Sequence, residues 1–339
     1  MLEMVVNGEI RFDDAKNLIS QLMLSDEIRA AAMLAALEAR GYDAEVLAGF
    51  AEYLRENMVR VDAKAELDTC GTGGDGSSTI NVSTAVSILL SCIMKVAKHG
   101  NRAVTSSSGS SDVLERLGVP VPPPEEAAEM LEKVNYVFLH APLYHPVLSR
   151  VMPVRRKLGI KTIFNLLGPL CNPAVPDRQI IGCRGEIVQM MGEAMQILGI
   201  EGLAVGSSLD EVSPEGYTLV SEVNGQRGVE VYTVSPSEFG VEEFRVSRVV
   251  CSSSEESAAR IEAVFRGKKG YDREYDREFI LMNASAALYA ADIVSDFREG
   301  YQIAENLVDE GLAIKKLEEL RRYGKRAKGD TVYGKAGLR

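Results

Sequence analysis

The chain has 339 residues and a formal net charge of -11, with 38 lysine and arginine residues against 49 aspartate and glutamate residues. This acidity argues against a non-specific nucleic-acid or anionic-membrane binder, because such proteins bind through a basic surface. No apolar run approaches the roughly 20 residues that span a bilayer, and the residues after Met1 do not resemble a secretory signal. We therefore expect a cytoplasmic protein of about two domains.

Residues 1–60 contain no proline and predict a small helical domain. Apolar residues recur at helical spacing over residues 15–23, and further helices are predicted over 25–41 and 43–57. We place the domain boundary after residue 63. The alanine-rich faces of these helices serve either as intrachain core or as the interface of a homodimer, and the sequence does not decide between the two.

From residue 64 onward, short β-like runs alternate with helical segments, which predicts an α/β domain with a mostly parallel sheet. The predicted strands cover residues 67–70, 95–98, 136–141, 179–183, 203–205, 229–234 and 248–251. The predicted helices include residues 84–94, 112–117 and 125–133, and the basic segment 315–339 reads as a solvated helix end and tail.

A glycine-rich loop at residues 71–76 follows the first predicted strand and matches the G-x-G-x-x-G pattern of dinucleotide sites. Residues 76–111 contain no aspartate or glutamate that could bind the ribose hydroxyls, which disfavours that interpretation. The glycines would instead let backbone N–H groups approach a phosphate, with Ser83 and Thr84 at the start of the next helix. A plain Gly/Ser loop remains the alternative.

The second predicted strand is followed by a similar loop. Lys98 and Arg102 add positive charge there, and a serine-rich run precedes the helix at residue 112. Loops that follow neighbouring parallel strands share one edge of the sheet, so the pair could hold a ligand with two phosphate groups. A second stretch without acidic residues, 133–176, carries six basic residues and supports an anion site.

Asp210 and Glu211 form an adjacent acidic pair after an apolar run. A solvated surface pair is the ordinary interpretation of such a dipeptide. Neighbours in extended backbone point to opposite sides, however, so this pair could address two Mg²⁺ ions. With three histidines and five scattered cysteines, any metal site should hold a hard cation through oxygen ligands, and the cysteines should be reduced and buried.

Several motifs together resemble the anthranilate phosphoribosyltransferase family, in the same order over nearly the whole chain. They are DTCGTGGDG at 68–76, NVST at 81–84, KHGNR at 98–102, SGSSD at 108–112, VRRKLGIKTIFNLLGPL at 154–170 and LDEVS at 209–213. The resemblance implies transfer of a phosphoribosyl group from phosphoribosyl pyrophosphate to anthranilate in tryptophan biosynthesis, with Mg²⁺. It also implies a helical domain hinged to a larger α/β domain, and a homodimer.

The resemblance further implies which residues bind each ligand. For phosphoribosyl pyrophosphate they are Gly71, Gly74, Asp75, Thr79, Asn81, Val82, Ser83, Thr84, Lys98, His99, Gly100, Asn101, Arg102, Ser106 and Ser110. For anthranilate they are Gly71, His99, Asn101, His145, Arg155, Gly168 and Pro169, and for two Mg²⁺ ions they are Ser83, Asp210 and Glu211. The family often has lysine where Ser107 stands. His140 is expected in the core, and no general acid or base stands out.

Two other functions are compatible with this fold and composition. One is a pyrimidine nucleoside phosphorylase, and the other is a non-catalytic relative that binds nucleic acid. The intact motif from Lys98 to Arg102 and the Asp210–Glu211 pair argue against the first, and the acidic balance argues against the second. We therefore expect small-molecule substrates and neither nucleic-acid nor membrane partners.

Overall fold

A computed structural model describes residues 2–73, 76–102, 109–225, 227–267 and 274–330. Its N-terminal helices are α1 (Leu2–Asn7), α2 (Phe12–Leu24), α3 (Glu27–Arg40) and α4 (Ala44–Glu56). The side chains of Asp26 and Asp43 accept backbone N–H groups in the first turns of α3 and α4, which fixes where these helices begin. Helix α1 was not predicted, and the cap of α3 is Asp26 rather than Ser25.

The strands are β1 (Leu67–Gly71), β2 (Val96–Gly100), β3 (Tyr136–His140), β4 (Arg178–Gly182), β5 (Gly202–Gly206), β6 (Thr218–Asn224) and β7 (Gly228–Val234). They form a sheet of order β3-β2-β1-β4-β5-β6-β7 in the described part of the chain. The pairings from β3 to β5 are parallel, and β5-β6-β7 is antiparallel. The mostly parallel sheet confirms the predicted α/β class.

Two details of the sheet differ from the prediction. Strand β6 was not predicted, although it pairs along its length with β5 and β7. The strand expected at 248–251 is absent from the described structure, where a 3₁₀ turn at Val246–Arg248 leads into a single antiparallel bridge between Thr79 and Val250. One bridge cannot continue into a ladder here because the facing segment is an irregular loop, in which Ser78 has a φ of 54°.

The remaining α-helices surround the sheet. They are α5 (Val82–Leu90), α6 (Ser110–Leu117), α7 (Pro124–Val134), α8 (Ala141–Tyr144), α9 (Met152–Leu158), α10 (Phe164–Leu167), α11 (Val188–Ile197), α12 (Ser254–Phe265), α13 (Glu274–Ala290), α14 (Phe297–Asp309) and α15 (Leu312–Asp330). Helix α15 buries Ala313, Leu317 and Leu320, so its first half is core rather than the solvated end that we expected. Residues 331–339 lie outside the described residues.

The apolar core falls into two clusters. One joins the sheet to α5, α6, α7 and the C-terminal helices α12 to α15. The other joins α2, α3 and α4 to α9, α10 and α11, and it includes Ile181 and Ala204 from the sheet. The N-terminal helices therefore share their core with later segments of the chain. The boundary at residue 63 and the hinge between domains remain predictions.

The order of the strands positions the site. Strand β1 lies between β2 and β4, so the chain leaves β1 toward one side of the sheet and later returns to its other side. In open α/β sheets, such a switch point opens a crevice at the carboxyl ends of the strands, where ligands bind. Within the described residues, no helix is both long and apolar enough to cross a membrane.

Candidate active site

A cavity of about 960 Å³ lies at the carboxyl ends of β1, β2, β4 and β5. Its wall combines both predicted phosphate loops and the Asp210–Glu211 pair with residues of α9, α10 and the 3₁₀ turn Gly168–Cys171. All predicted site residues within the described ranges line this cavity, except Thr84. The predicted residues Gly74, Asp75 and Ser106, like Ser107, lie outside the described residues.

The first loop is attached to the neighbouring strand at its start. Thr72 donates its backbone N–H to the carbonyl of Gly182, at the end of β4, over 2.8 Å. Gly73 and Gly76 have φ angles of 64° and 81°, a region that glycine adopts without strain. The backbone of this loop can therefore turn close to a ligand at the switch point.

The second part of this loop is clamped by the segment around Val250. Ile80 donates its backbone N–H to the carbonyl of Val249, and Cys251 donates its own to the carbonyl of Ser78, both over 2.8 Å. The Thr79 hydroxyl takes no part in these backbone contacts and donates to Oε2 of Glu211 over 3.0 Å. The loop and the carboxylate pair are thus joined directly.

Lys98 reaches from β2 across β1 to the start of α5. Its Nζ donates to the backbone carbonyl of Thr69 over 2.5 Å and to Oγ of Ser83 over 3.1 Å. Burial lowers the pKa of Lys98. Thr84, which was predicted to bind phosphoribosyl pyrophosphate, does not line the cavity. Its fully buried hydroxyl donates to Oδ1 of Asn81 within the first turn of α5.

A buried carboxylate, Asp68, lies beneath these loops. It accepts the backbone N–H of His99 over 3.1 Å, Nδ2 of Asn172 over 2.7 Å and Nε2 of Gln179 over 3.3 Å. Burial raises the pKa of Asp68 to about 6, and the charge of Lys98 opposes this rise. The three donors come from β2, from the segment before β4 and from β4 itself, so one carboxylate ties these elements together.

Two further contacts join His99 and Gln179 to the Gly168–Pro169 turn beneath the cavity. Nδ1 of His99 lies 2.9 Å from the carbonyl oxygen of Gly168, and Nε2 of Gln179 donates to the carbonyl of Pro169 over 3.1 Å. The Gly168–Pro169 turn is therefore held by β2 through His99 and by β4 through Gln179, which also donates to Asp68. The sequence predicted both His99 and this turn as site residues, and the structure brings them together.

The second loop presents less unpaired positive charge to the cavity than expected. The guanidinium of Arg102 is exposed and pairs with Asp112 over 3.2 Å and with Glu115 over 3.6 Å. The backbone carbonyl of Asn101 accepts the backbone N–H of Ser111 at the start of α6, over 3.3 Å. Arg102 therefore lines the cavity with part of its charge already balanced by α6.

The other stretch without acidic residues, 133–176, is likewise only partly directed at the cavity. Of its six basic residues, Arg155 and Arg156 line the cavity wall. Lys157 instead pairs with Glu27 over 2.5 Å, and Lys133 pairs with Glu129. The sequence pattern thus overstated how many cations reach the cavity.

The carboxylate pair packs directly against the ends of β1 and β4. A Cβ at Gly182 would collide with the backbone carbonyl of Asp210, and a Cβ at Gly71 would stand 3.7 Å from Asp210 Oδ2. Behind the pair, Asn283 of α13 accepts the backbone N–H of Val212 over 3.0 Å and donates to its carbonyl over 3.2 Å. Glycines in front and an asparagine behind hold this loop in place.

These residues fit a magnesium site of limited protein coordination. No group of three or more His, Cys, Asp or Glu side chains that could hold a metal occurs in the described residues. Mg²⁺ does not need one, because it is commonly bound through one or two carboxylates together with water and substrate phosphate oxygens. Asp210, Glu211 and the hydroxyl of Ser83 line the same cavity and supply that donor chemistry.

Two buried histidines form part of the wall on the side of the Gly168–Pro169 turn. The rings of His99 and His145 meet edge to face, with centroids 5.2 Å apart. Burial lowers the pKa of His99 to about 3 and that of His145 to about 4, so both are neutral near pH 7. His140 lies 3.1 Å from the Ser111 hydroxyl and does not line the cavity, but it is half-buried rather than in the core as expected, because it ends β3 at the edge of the sheet.

The sequence interpretation missed two asparagines on the wall. Asn165 contacts Arg155, with Nη2 to Oδ1 at 3.2 Å, and Asn283 holds the Asp210–Glu211 loop. For Asn283 a signal did exist, since an asparagine amid the apolar residues of α13 must find partners when it is buried. Asn165 stands within a motif that carries the family resemblance, and nothing in that motif alone indicates its contact with Arg155.

The fold and the cavity define a glycosyltransferase. Residues 63–314 match the family described as "Glycosyl transferase family, a/b domain". The anthranilate phosphoribosyltransferase of Pyrococcus abyssi is 50% identical over 325 residues, which cover 94% of this chain and 98% of the relative. The chain therefore belongs to the anthranilate phosphoribosyltransferase family.

Solved structures agree with this assignment. The anthranilate phosphoribosyltransferase of Thermus thermophilus superposes with a TM-score of 0.87 at 34% identity, covering 96% of this chain and 99% of that one. The Saccharomyces cerevisiae enzyme in complex with phosphoribosyl pyrophosphate and Mg gives a TM-score of 0.82 at 30% identity, covering 93% and 92%. The same yeast enzyme has been solved with 4-fluoroanthranilate, with a TM-score of 0.84 at 27% identity and 96% and 97% coverage.

Proposed function

We propose that this protein transfers the phosphoribosyl group of phosphoribosyl pyrophosphate to the amine of anthranilate and releases pyrophosphate, as a cytoplasmic step of tryptophan biosynthesis. The observation that carries the proposal is the composition of one cavity. Phosphate loops and carboxylates from the sheet share it with a guanidinium and two neutral histidines from the other side. A phosphorylated sugar and an aromatic acid need these two sets of groups.

The donor substrate occupies the sheet side of the cavity. The start of α5 suits the phosphate groups, because N–H groups in the first turn of a helix have no acceptor within the helix. Lys98 supports this part indirectly, since its Nζ fixes Ser83 and the end of β1. We expect the yeast enzyme's ligands, phosphoribosyl pyrophosphate and Mg, to bind here in this protein as well.

Two Mg²⁺ ions would be held by Ser83, Asp210 and Glu211 together with pyrophosphate oxygens. When bound, the metal neutralises charge on the pyrophosphate and makes it a better leaving group. The Thr79 hydroxyl, which donates to Glu211, keeps one carboxylate oriented toward the first loop. The glycine at position 182 lets the backbone of Asp210 lie directly against the end of β4.

The acceptor occupies the side formed by α9, α10 and the Gly168–Pro169 turn. Arg155 suits the carboxylate of anthranilate, because a guanidinium forms paired hydrogen bonds with a carboxylate. The carbonyl of Gly168 can only accept, so Nδ1 of His99 carries the proton and Nε2 presents a lone pair. That lone pair is buried and has no protein partner among the described residues.

The reaction then needs positioning more than covalent help. The bond from ribose C1 to pyrophosphate breaks as the amine nitrogen approaches C1 from the other face, and the nitrogen later loses a proton. The chain orients both substrates and surrounds C1 with polar groups that are already in place. Exclusion of water matters here, because water would hydrolyse the activated sugar.

We also propose that the protein is a homodimer formed through its N-terminal helices. Val6, Leu24 and Ile28 are 58%, 69% and 83% exposed on α1, on α2 and at the start of α3. A second copy of the chain would bury these side chains at the interface. Substituting Leu24→Glu together with Ile28→Glu should shift the sedimentation coefficient from dimer to monomer, and an unchanged dimer would contradict this interface.

One assay tests the function directly. The purified protein is mixed with Mg²⁺, phosphoribosyl pyrophosphate and anthranilate, and the loss of anthranilate fluorescence is followed together with pyrophosphate release. We expect both signals at equal rates, and neither when phosphoribosyl pyrophosphate is omitted. Release of pyrophosphate without loss of anthranilate would mean that the acceptor is another molecule.

A further inference from the structure

We infer that Asn165 is a positioning residue for recognition of the acceptor's carboxylate. Its side-chain oxygen orients the guanidinium of Arg155, and because that oxygen is uncharged, it leaves the positive charge of Arg155 for the ligand. The inference rests on the proposed function, in which Arg155 binds the carboxylate of anthranilate.

Three contacts fix the guanidinium of Arg155. Nη2 donates to Oδ1 of Asn165 over 3.2 Å, and Nη1 lies 3.6 Å from Sδ of Met152. The Cζ atom lies 5.4 Å from the centroid of the Phe164 ring, so the group also packs on an aromatic side chain. None of these three partners carries a negative charge.

Arg155 also has no ion pair with any carboxylate among the described residues. It differs in this from the neighbouring Lys157, which pairs with Glu27. Burial lowers the pKa of Arg155, which reflects the cost of holding a cation in this half-buried position. A guanidinium that is oriented but not neutralised is suited to bind an anion, and it lines the cavity.

Asn165 is itself fixed by the turn that begins α10. Oδ1 of Asn165 accepts the backbone N–H of Thr162 over 3.0 Å, and the backbone N–H of Asn165 donates to the carbonyl of Thr162 over 2.7 Å. Both lone pairs of Oδ1 are therefore used, one by the turn and one by Arg155. An aspartate oxygen at this position could accept the same two hydrogen bonds, but it would neutralise Arg155.

The Asn165→Asp variant tests whether the lack of charge on Asn165 matters. If Arg155 did not need an uncharged partner, Asn165→Asp would be tolerated, because aspartate accepts backbone N–H groups as well as asparagine does. If Asn165 keeps Arg155 available, Asn165→Asp must weaken acceptor binding while the turn stays intact. Asn165→Ala removes both hydrogen bonds and leaves the charge free, so it should have the smaller effect on acceptor binding and the larger one on stability.

The experiment compares steady-state kinetics of the full-length protein and its variants with Mg²⁺ present. For Asn165→Asp we expect the KM for anthranilate to rise about 10-fold or more, since a charged hydrogen bond is lost. The KM for phosphoribosyl pyrophosphate and the melting temperature should stay near the wild-type values. Asn306→Asp, an exposed position on α14, adds the same charge away from the cavity and should change neither KM.

A double variant supplies the decisive comparison. In an Arg155→Gln background there is no charge left to neutralise, so adding Asn165→Asp should leave the anthranilate KM unchanged. A further rise in that background, or a wild-type KM for Asn165→Asp alone, would overturn the inference. If the wild type itself neither consumes nor binds anthranilate in titration calorimetry, the proposed function fails, and this inference fails with it.

Discussion

The carboxylate of Asp68 accepts the backbone N–H of His99 over 3.1 Å, which fixes the end of β2 from below while the ring of His99 lines the cavity above. Asn172 and Gln179 complete the set of donors around this buried charge. The wall proposed for the acceptor thus depends on Asp68, Asn172 and Gln179, none of which lines the cavity.

Loss of one donor in that network should be costly. Asn172→Ala removes hydrogen bonds to Asp68, to the carbonyl of Ala97 and from the N–H of Ala174, all within the protein interior. We expect the free energy of unfolding, measured by urea denaturation, to fall by about 3 kcal/mol, because buried partners are left unpaired. Asn306→Ala, at an exposed site, is the control. A fall below about 1 kcal/mol would contradict the role of Asn172.

The carboxylate pair should be indispensable for turnover. Substituting Asp210→Asn with Glu211→Gln keeps the shape of the loop and removes both charges, so we expect kcat to fall by about 100-fold or more at millimolar Mg²⁺. The exposed pair Glu242 and Glu243, changed to glutamine in the same way, serves as the matched control. Near-normal turnover of the first variant would refute the metal assignment.

Arg155→Ala should separate the two substrates. We expect the KM for anthranilate to rise about 10- to 100-fold, as for the loss of a charge-assisted hydrogen bond, with little change in the KM for phosphoribosyl pyrophosphate. Arg150→Ala provides the comparison, since Arg150 is exposed and does not line the cavity. Equal increases in both KM values would show that Arg155 does not act on the acceptor alone.

Gly182→Ala should damage the site without touching a ligand. The new methyl group would collide with the carbonyl of Asp210 and force the Asp210–Glu211 loop away from β4. We expect a loss of stability of about 1–3 kcal/mol, as for overpacking, and a higher Mg²⁺ concentration for half-maximal activity. Wild-type magnesium dependence in a folded variant would show that the loop accommodates the methyl group by another route.

Stability should depend on pH through the two buried histidines. An unfolded histidine titrates near pH 6.5, whereas burial lowers the pKa of His99 to about 3 and of His145 to about 4. Their contribution is therefore full above about pH 6.5 and is lost as the pH falls toward the folded-state values, because only the unfolded chain takes up these protons.

Asp68 opposes this trend at lower pH. Its pKa of about 6 means that the folded state keeps a proton that the unfolded chain releases between about pH 4 and pH 6. We therefore compare urea unfolding at pH 7, 6 and 5 for the wild type and His145→Phe. On unfolding at pH 5, the variant should take up about one proton fewer than the wild type. The slope of its free energy of unfolding against pH should therefore be smaller by about 1.4 kcal/mol per pH unit. Parallel curves would mean that His145 titrates normally.

The sequence located the residues whose chemistry is visible in short motifs. Lys98, Asp210 and Glu211 were expected in one site because glycine loops and acidic pairs at strand ends converge at one edge of a parallel sheet. Helices α2 to α7 and six of the strands were also expected, since their apolar periodicity or alternation is local. The unpaired charge of Arg102 was overestimated. Its partner Asp112 belongs to the next helix, and the pairing depends on how that helix begins.

The residues that were missed act through contacts distant in sequence. Asn283 and Val212 are 71 positions apart, and Asn172 and Asp68 are 104 apart, so no motif could show either pair. The predicted strand at 248–251 failed for a related reason, because it faces an irregular loop around Ser78 with which it forms a single bridge.

The two walls of the cavity rest on different apolar clusters. Val154, Phe164 and Leu167 anchor the segment that bears Arg155 and Asn165 in one cluster, whereas Ile80, Val82 and Leu209 anchor the phosphate loop and the carboxylates in the other. Mutations that repack the cluster of Val154, Phe164 and Leu167 can therefore alter which aromatic acid is accepted. The phosphate loop and the carboxylates would stay intact, because they rest on the other cluster. Such a division makes the acceptor wall the natural target for evolving or engineering new N-ribosylation specificities.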